Sequence, residues 1–476
     1  MGVAEKPLTR RGFLRGTAAL VAARGVYGAL DGLATPARAQ AATTVSRFQE
    51  QYLIDKLEAI LDNGVTCVVP PIYNDIFTAK LAQAKTWDKA ALKAAQSRLE
   101  AALQKVEAPY PGTAAGLTIV VAWGLPYFNA YVSAPWRTKA PLEYGTTRPA
   151  VIDAIAFPSD PAGVALEDNH VAFKIRSDST DILRSVETQL FSDASSAAYV
   201  GDLFDLTSKR IGFLGRGFNR VSAAKTLALA AGVPGADQIP DNAQLMLGFT
   251  STQTAALAPD NLPSFETLPR VTNQFPTGYF AHGCAMHLSH LNLDLASWYG
   301  KSYADRVRAM LSPRTTIASG QPVTYPNGPA QVSTAAQVKA DAQNGVAGHN
   351  SALQTATRLQ ADTLDNYGRY RAKGTPVPAR EDFNTLDDPF TWYVDGAGNI
   401  QQPVANQPGL HFAVFVPSSG KFHAARLAMD GFLPDGTKLG LDPKTMGINS
   451  VMSATHRQNL LVPPRAHRSF PLAELL

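Results

Sequence analysis

The sequence predicts an α+β protein in which two ferredoxin-like halves pack against each other. Between residues 65 and 215, strand-like and helix-like segments follow the order β-α-β-β-α-β, with a long insertion between the two middle strands. A similar order returns after residue 278. The long apolar runs of a doubly wound parallel sheet are missing. We therefore predict domains over residues 40–260 and 261–476, which meet near residues 255–275, where the proline-rich stretch 259–276 lies.

In the first half, leucines spaced along one face predict helices. Leu53, Leu57 and Leu61 predict a short helix over residues 48–62, and an Ala- and Leu-rich segment predicts a second helix over residues 89–106. A third helix, N-capped around Ser179 or Thr180, is expected over residues 180–191. Apolar or alternating segments predict four strands, which are expected at residues 65–72, 116–124, 170–176 and 209–215.

In the second half, similar elements are separated by a longer loop. A strand is expected over residues 278–293 and a helix over residues 295–310. The segment that follows is rich in Pro, Gly, Gln and Ser, and long loops of this kind are often functional. The remaining elements are a strand, a helix and a short strand, which are expected at residues 411–416, 421–430 and 458–462.

The first 39 residues have the features of an export signal. Arg10 and Arg11 stand just before an Ala-rich, mildly apolar stretch that ends in the small-x-small sequence ARA. Arg24 and Asp31 interrupt this stretch, so its apolar run is too short to span a bilayer. We expect a twin-arginine signal peptide over residues 1–39 and a mature protein that is periplasmic or extracellular.

Charge and cysteine content exclude several classes of protein. Residues 1–39 hold six Lys or Arg and two Asp or Glu, so their net charge of +4 accounts for the whole chain's +4. The rest is near neutral, so the basic pI of the whole chain is no indication of nucleic-acid binding. No later segment is apolar enough to predict a membrane span. Cys67 and Cys284 are too few for a disulfide scaffold or a Cys-rich metal site, and they form either one bridge or two separate buried thiols.

Histidines are the strongest candidates for a ligand site. His282, His287 and His290 cluster, but on a strand the last two would lie on opposite faces, which disfavours a shared metal. His349 opens a helix-like run after a glycine-flanked turn, and glycines allow a planar ligand to approach the backbone. A neutral imidazole is also a common iron ligand. The alternative is that His349 is an ordinary satisfied or exposed histidine.

Several short motifs, taken in their order along the chain, resemble the dye-decolorizing peroxidase superfamily, and especially a divergent exported branch of it. The motifs resemble that family's GxxDG stretch, the opening of its second domain, its proximal haem ligand segment, its distal arginine followed by a Tyr/Phe-Asn pair, and the strand that comes next. In this chain they lie at residues 245–251 (LMLGFTS), 278–314, 345–349 (GVAGH), 380–384 (REDFN) and 409–415 (GLHFAVF). The resemblance covers most of the chain beyond about residue 110.

This resemblance implies two ferredoxin-like domains of the dimeric α/β-barrel type, with haem b in the second. His349 would be the axial ligand of the iron, and Asn384 would belong to the haem-binding residues. Arg380 would also bind there, on the distal side, where its fixed charge could stabilise the oxygen that leaves as peroxide is split. The implied partners are haem, hydrogen peroxide and an unidentified reducing substrate, and the chain could form a homo-oligomer.

The sequence departs from the family's motif at its acid. Ser251 stands where the motif has aspartate, and Thr252 replaces the second glycine. A serine hydroxyl is a far weaker acid than a carboxyl group, and loss of a general acid or base costs about 10²–10⁴-fold in rate. We therefore take Arg380 and Ser251 as the catalytic positions and expect peroxidase activity that is either weak or absent.

Two classes of function follow. The first is a haem peroxidase-like oxidoreductase, or the related removal of iron from haem. The second is a non-catalytic protein of the cell envelope that either binds or stores haem or carries none. An apolar pocket that contains both His349 and Arg380 favours the first class, and their separation on distant surfaces favours the second.

Overall fold

Eight antiparallel strands close into a barrel at the centre of the computed structural model. The structure describes residues 47–62, 65–215, 222–249, 260–317, 333–390, 393–394, 400–401 and 405–476. The barrel strands are β1 (Tyr73–Leu81), β2 (Thr118–Gly124), β3 (Val171–Ser177), β4 (Phe204–Phe213), β5 (Cys284–Leu293), β6 (Phe383–Asp387), β7 (Ala405–Val416) and β8 (Met452–Val462).

Each half of the barrel has the strand order of a ferredoxin-like sheet. The first half is ordered β4-β1-β3-β2, and the second half is ordered β6-β7-β5-β8. The halves join where β2 pairs with β8 and where β4 pairs with β6. Closure leaves neither half with an open edge at these joints. The predicted α+β class with two ferredoxin-like halves is confirmed, and the halves pack edge to edge around one cylinder.

Four helices cover the outside of the barrel near the two sheets. The first sheet carries α1 (Lys89–Glu107) and α2 (Thr180–Glu187), and the second carries α3 (His349–Thr357) and α4 (Ser419–Met429). Asp88 caps α1 by accepting a hydrogen bond from the backbone N–H of Ala91, and the leucines at helical spacing on α1 are buried. No helix in the described ranges has both the length and the apolar character needed to cross a membrane.

The other elements are short. The remaining α-helices are Leu125–Tyr131, Ser133–Lys139, Ala223–Ala230, Leu295–Tyr299, Tyr303–Met310 and Ala335–Gln343, and Thr188–Ser192 is a π-helical turn. The remaining strands are Glu58–Asp62, Val65–Val69, Ala165–Leu166, Thr363–Leu364, Tyr370–Arg371, Ala379–Arg380, Tyr393–Val394 and Ile400–Gln401.

Three element predictions are wrong in detail. The helix expected over residues 48–62 is absent, because Glu58–Asp62 pairs as a strand with Val65–Val69 and Leu61 is 71 % exposed. The first barrel strand is therefore β1 and not residues 65–72. The helix expected over residues 295–310 is broken near Gly300, and Ser302 caps its second part.

The end of the chain returns to the first half. Arg465 and Arg468 both form ion pairs with Glu107 at the end of α1, at N···O distances of 2.9 and 3.0 Å. Burial of Glu107 opposes its ionised form, but the two arginines outweigh this cost and lower the pKa of its carboxyl group. The last residues thus stabilise the first sheet, although they lie in the segment predicted to form the second domain.

Alternation along β5 and β7 separates an interior from an exterior face. On β5, Met286, Leu288 and His290 face the interior, while the alternate residues, including His287, face outward. His287 and His290 therefore lie on opposite faces of a strand, as predicted. On β7, His411 pairs across the ladder with His290 and shares its interior face.

The barrel interior is partly charged. Lys174 and Arg176 on β3 share the carboxylate of Glu381, with a Lys174 Nζ to Glu381 Oε2 distance of 3.6 Å and a closer contact from Arg176. Burial lowers the pKa of Lys174 to about 7. Buried charges need such partners, because an unpaired ion inside a protein is strongly unfavourable.

Asn384 closes the joint between the two halves at β4 and β6. These strands share one paired position, Asn384 with Phe213. The buried Asn384 amide donates to the carbonyls of Phe213 and Gln244, at 3.1 and 2.9 Å, and accepts a hydrogen bond from the N–H of Met246 at 2.9 Å. One side chain thus satisfies three backbone groups at the joint between β4 and β6, where the two strands have a single paired position.

We predict that Asn384→Ala lowers the free energy of unfolding by about 3 kcal/mol or more, because each buried backbone group left without a partner costs about 1–3 kcal/mol. Asn344→Ala is the control, since the exposed Asn344 side chain makes one hydrogen bond within its own helix end. It should change stability by about 0.5 kcal/mol or less. Urea unfolding followed by circular dichroism measures both, and equal losses in the two variants would contradict this role of Asn384.

Candidate functional site

A cavity of about 560 Å³ lies between the outer face of the second sheet and helices α3 and α4. Ligand pockets in proteins usually have volumes of roughly 300–1,000 Å³. Its walls are largely apolar, with contributions from both the sheet and the helices: Leu291, Leu353, Leu410, Phe412, Val414, Phe422 and Met429. This composition suits a sizeable apolar ligand.

His349 enters this cavity as the first residue of α3. The residue as a whole is half-buried. Its Nδ1 atom, however, is fully buried and has no hydrogen-bond partner among the described residues. Burial, together with the smaller effects of the charges of Arg380 and Arg426, lowers the pKa of His349 to about 3. The imidazole is therefore neutral over the physiological pH range and keeps a lone pair for a ligand.

The glycines near His349 make room for other parts of the chain. A Cβ at Gly348 would lie 2.3 Å from the carbonyl oxygen of Leu311, and a Cβ at Gly447 would lie 2.9 Å from the backbone nitrogen of His349. Gly447 also has φ of +56°, which other residues rarely adopt. The expectation that glycines admit a planar ligand here is thus not supported by these two contacts, which instead fix the start of α3.

Arg380 and Asp382 line the same cavity as His349. Arg380 lies in the short strand Ala379–Arg380, where it pairs with Val414 of β7. Its Nε lies 3.3 Å from Oδ1 of Asp382, and 24 % of its side chain is exposed. The geometry of this contact is that of an ion pair without a well-aligned hydrogen bond. A guanidinium, a carboxylate and a neutral imidazole therefore meet in one apolar cavity.

His287 also lines the cavity but is held by its neighbours. Its ring stacks on Phe422 with centroids 3.6 Å apart, and its Nδ1 lies 2.8 Å from Oδ1 of Asn459. Burial, followed by the charge of Arg457, lowers the pKa of His287 well below its usual value. His287 is thus a neutral wall residue with one nitrogen already engaged.

Cationic side chains surround the cavity in two groups. Arg426 and Arg457 are neutralised by Asp430 and Asp160, with which they form ion pairs. Arg270 and Lys421 are exposed and line the cavity, so they lie at its mouth. An apolar ligand with carboxylate groups would place its charges at this mouth.

The other predicted site residues lie elsewhere. Asn384 does not line the cavity, because its amide is used at the barrel joint. Ser251 lies outside the described residues, as does the signal peptide predicted over residues 1–39. Cys284 is a buried free thiol at the start of β5. His290 and His411 are inside the barrel and do not reach the cavity.

Sequence reasoning missed Asp382 and His287 as cavity residues. Asp382 stands two residues after Arg380, so alternation along an extended segment could have placed both side chains on one face. His287 was visible as part of the histidine cluster, but the cavity it lines depends on α4, which follows more than 130 positions later. No local pattern reports such a contact.

Comparisons with known proteins identify a family and a set of structures with a similar fold. Residues 79–464 match a family model described as "Family of unknown function (DUF7405)", and no curated protein matches the chain. Similar solved structures include a dye-decolorizing protein from V. cholerae (13 % identity, TM-score 0.45), a DypB variant from Rhodococcus jostii RHA1 in complex with heme (13 %, 0.46) and the encapsulated DyP-type peroxidase from Mycobacterium smegmatis (15 %, 0.45).

These alignments cover 84 %, 84 % and 85 % of this chain, and 96 % of each of the other three. Membership of the dye-decolorizing peroxidase superfamily, which the short motifs predict, stays a prediction beside this low-identity similarity. No ligand, residue role or reaction follows from it.

Proposed function

We propose that this chain, which belongs to the Family of unknown function (DUF7405), binds haem in the cavity beside α3 and α4, with His349 as the iron ligand. One observation carries the proposal: His349 and Arg380, distant in sequence, line the same largely apolar cavity. Their separation on distant surfaces would have favoured the second class, a non-catalytic protein that binds or stores haem or carries none.

The cavity suits haem in size, polarity and charge. Its volume of about 560 Å³ and its apolar walls accommodate a flat macrocycle, and Arg270 and Lys421 at the mouth suit the carboxylate groups of haem. Neither cysteine of the chain lies in a CxxCH sequence, the usual motif for covalent attachment, and Cys284 does not line the cavity. We therefore propose non-covalently bound haem b.

The chain's own residues support a reaction with hydrogen peroxide. Bound haem would supply an iron centre that peroxide oxidises and an electron donor reduces. The fixed positive charge of Arg380 would stabilise negative charge on the oxygen that leaves. The apolar walls exclude water, which strengthens this electrostatic interaction. The reducing substrate is an electron donor of unassigned chemistry.

Asp382 is the carboxylate that can move the proton. A peroxide must lose one proton and deliver it to the leaving oxygen, and a carboxylate does this far better than a hydroxyl. Asp382 is 8 % exposed, lines the cavity and forms an ion pair with Arg380. We therefore assign the acid–base role to Asp382, and Ser251 is the alternative position that the family's motif suggests.

A second candidate function is haem binding without catalysis, either as storage or as transport. The buried Nδ1 of His349 favours it, because it has no acceptor among the described residues. Histidines that ligate metals almost always donate their second nitrogen to a carboxylate or carbonyl, which makes them more basic ligands. Without that partner, His349 would be a weaker electron donor to iron, which would slow peroxide cleavage.

We also propose export by the twin-arginine route, which rests on Arg10, Arg11 and the Ala-rich stretch after them. Replacement of both arginines by lysine should leave full-length precursor in the cytoplasm. Normal yields of processed protein outside the cytoplasm in this double variant would overturn the export proposal, and immunoblots of cell fractions measure it.

We predict that the purified protein, reconstituted with haem, has a Soret band and that His349→Ala loses most of it, because the iron loses its ligand. His467→Ala is the control, since this half-buried histidine lies outside the cavity. It should keep the full band. Haem content measured at equal protein concentration decides the matter. Unchanged haem in His349→Ala would transfer the ligand role to His287, and a colourless wild type would refute haem binding.

We further predict that Asp382→Asn and Arg380→Leu each slow the reaction of the haem-loaded protein with peroxide by about 10²-fold or more, through loss of proton transfer and of charge stabilisation respectively. Stopped-flow absorbance at equal haem loading measures the rate, together with peroxide-driven oxidation of a simple donor. Ser251→Asp is compared in parallel. A large acceleration in Ser251→Asp with no effect of Asp382→Asn would show that the wild type lacks its acid. No reaction in any variant, with haem bound, would favour storage or transport.

A further inference from the structure

A second group of metal-ligating side chains lies outside the haem cavity. Glu50, Glu266 and His282 each offer one ligand atom, and these atoms all lie within 4.8 Å of one another. The Nδ1 of His282 is 2.8 Å from Oε1 of Glu50 and 3.5 Å from Oε1 of Glu266. None of the three residues lines the cavity that contains His349.

The two carboxylates are buried without a strong cationic partner. The side chain of Glu266 has no exposed surface and that of Glu50 is 11 % exposed. Among the described residues, neither forms an ion pair with a lysine or an arginine, and His282 is their one positively chargeable neighbour. The buried carboxylate of Glu107, by contrast, has two such partners, Arg465 and Arg468. Buried charges in proteins are normally paired or bound to a metal.

The backbone holds His282 in place beside Glu266. His282 has φ of +68°, a left-handed conformation that is uncommon for residues other than glycine. In this conformation its N–H donates to Oε2 of Glu266 at 2.7 Å, while its ring remains next to Oε1. One carboxylate oxygen is thus occupied by the backbone. The other, Oε1, lies beside the imidazole and also accepts a hydrogen bond from the hydroxyl of Tyr367 at 3.3 Å. With 41 % of its side chain exposed, His282 leaves a path to solvent for an incoming ion.

We propose that Glu50, Glu266 and His282 bind one divalent transition-metal ion of the Zn²⁺ type. One imidazole nitrogen and two carboxylate oxygens are ligands that Zn²⁺ accepts at about 2.0–2.2 Å, with water in the fourth position. Ligand atoms around such an ion lie roughly 3.4 Å apart. The 3.5 Å separation from Glu266 already fits this, and the 2.8 Å separation from Glu50 needs a small outward shift. The ion replaces the proton that His282 and Glu50 otherwise share.

The ion would join two separate parts of the chain. Glu50 lies near the beginning of the described chain, whereas Glu266 and His282 lie in the segment that leads into β5. Binding to the folded state alone would raise the thermal stability in proportion to the logarithm of the ion concentration. The ion would therefore stabilise the fold, and the site is independent of haem.

The test is a Zn²⁺ titration of protein that has been treated with a chelator and desalted, in competition with a chromogenic zinc indicator. We expect one Zn²⁺ per chain, a higher melting temperature with Zn²⁺, and a loss of affinity of roughly tenfold or more in Glu266→Gln and in His282→Ala. His282→Ala changes a partly exposed side chain, so it keeps the test valid if Glu266→Gln does not fold.

Two further variants serve as controls. His467→Ala removes a histidine whose Nδ1 lies 3.8 Å from a single carboxylate, that of Glu474, and it should bind Zn²⁺ as the wild type does. His349→Ala should also keep the ion, which separates this site from the haem cavity. No saturable Zn²⁺ binding would overturn the proposal, as would full binding in both Glu266→Gln and His282→Ala. Either result would show that the three side chains form a hydrogen-bonded cluster only.

Discussion

The two sheets of the closed barrel each have an apolar outer face that helices must cover, and in this protein the helices cover the two faces unequally. The first sheet lies under α1, a helix of 19 residues whose leucines are buried in the main core. The second sheet lies under α3 and α4, which have only 9 and 11 residues. The outer face of β7 is apolar from Leu410 to Val416, and the shorter helices leave this part facing a cavity. Apolar surface of this kind is unfavourable in water and favours an apolar occupant.

The same geometry explains why charged groups gather in this cavity. Because side chains alternate along β5 and β7, His290 and His411 point into the barrel and His287 lies in the cavity wall. The short strand that pairs with β7 contributes Arg380. The low polarity around His349 keeps its imidazole neutral, and the nearby guanidinium opposes its protonation further. A neutral imidazole and a fixed positive charge are the two features that a haem site capable of peroxide chemistry requires. Both features are present here because the short helices α3 and α4 cover the second sheet incompletely.

Local patterns predicted the elements whose residues face a single environment. The leucines of α1 lie on one buried face, and the glycine-flanked His349 does open a helix, so both were predictable. β1 was missed because the segment YNDIFTAKL is covered on both sides and mixes polar with apolar residues, which weakens the alternating signal. The helix expected from Leu53, Leu57 and Leu61 failed because strand pairing with Val65–Val69 outweighs helical spacing.

Contacts between distant parts of the chain were beyond local patterns. Asn384 was expected near haem, yet its amide binds backbone groups about 140 to 170 residues earlier in the chain and closes the barrel instead. Asp382 became a catalytic candidate only when the cavity placed it beside Arg380 and His349. Glu50 and His282 likewise come together only through the fold.

We propose that the cavity between the second sheet and its short helices is a haem site. A crystal structure of the haem-reconstituted protein tests it most directly. We predict haem inside the cavity lined by Phe412 and Phe422, with its iron bonded to the imidazole of His349. Haem bound at another surface, iron ligated by a different residue, or an empty cavity at saturating haem would contradict it.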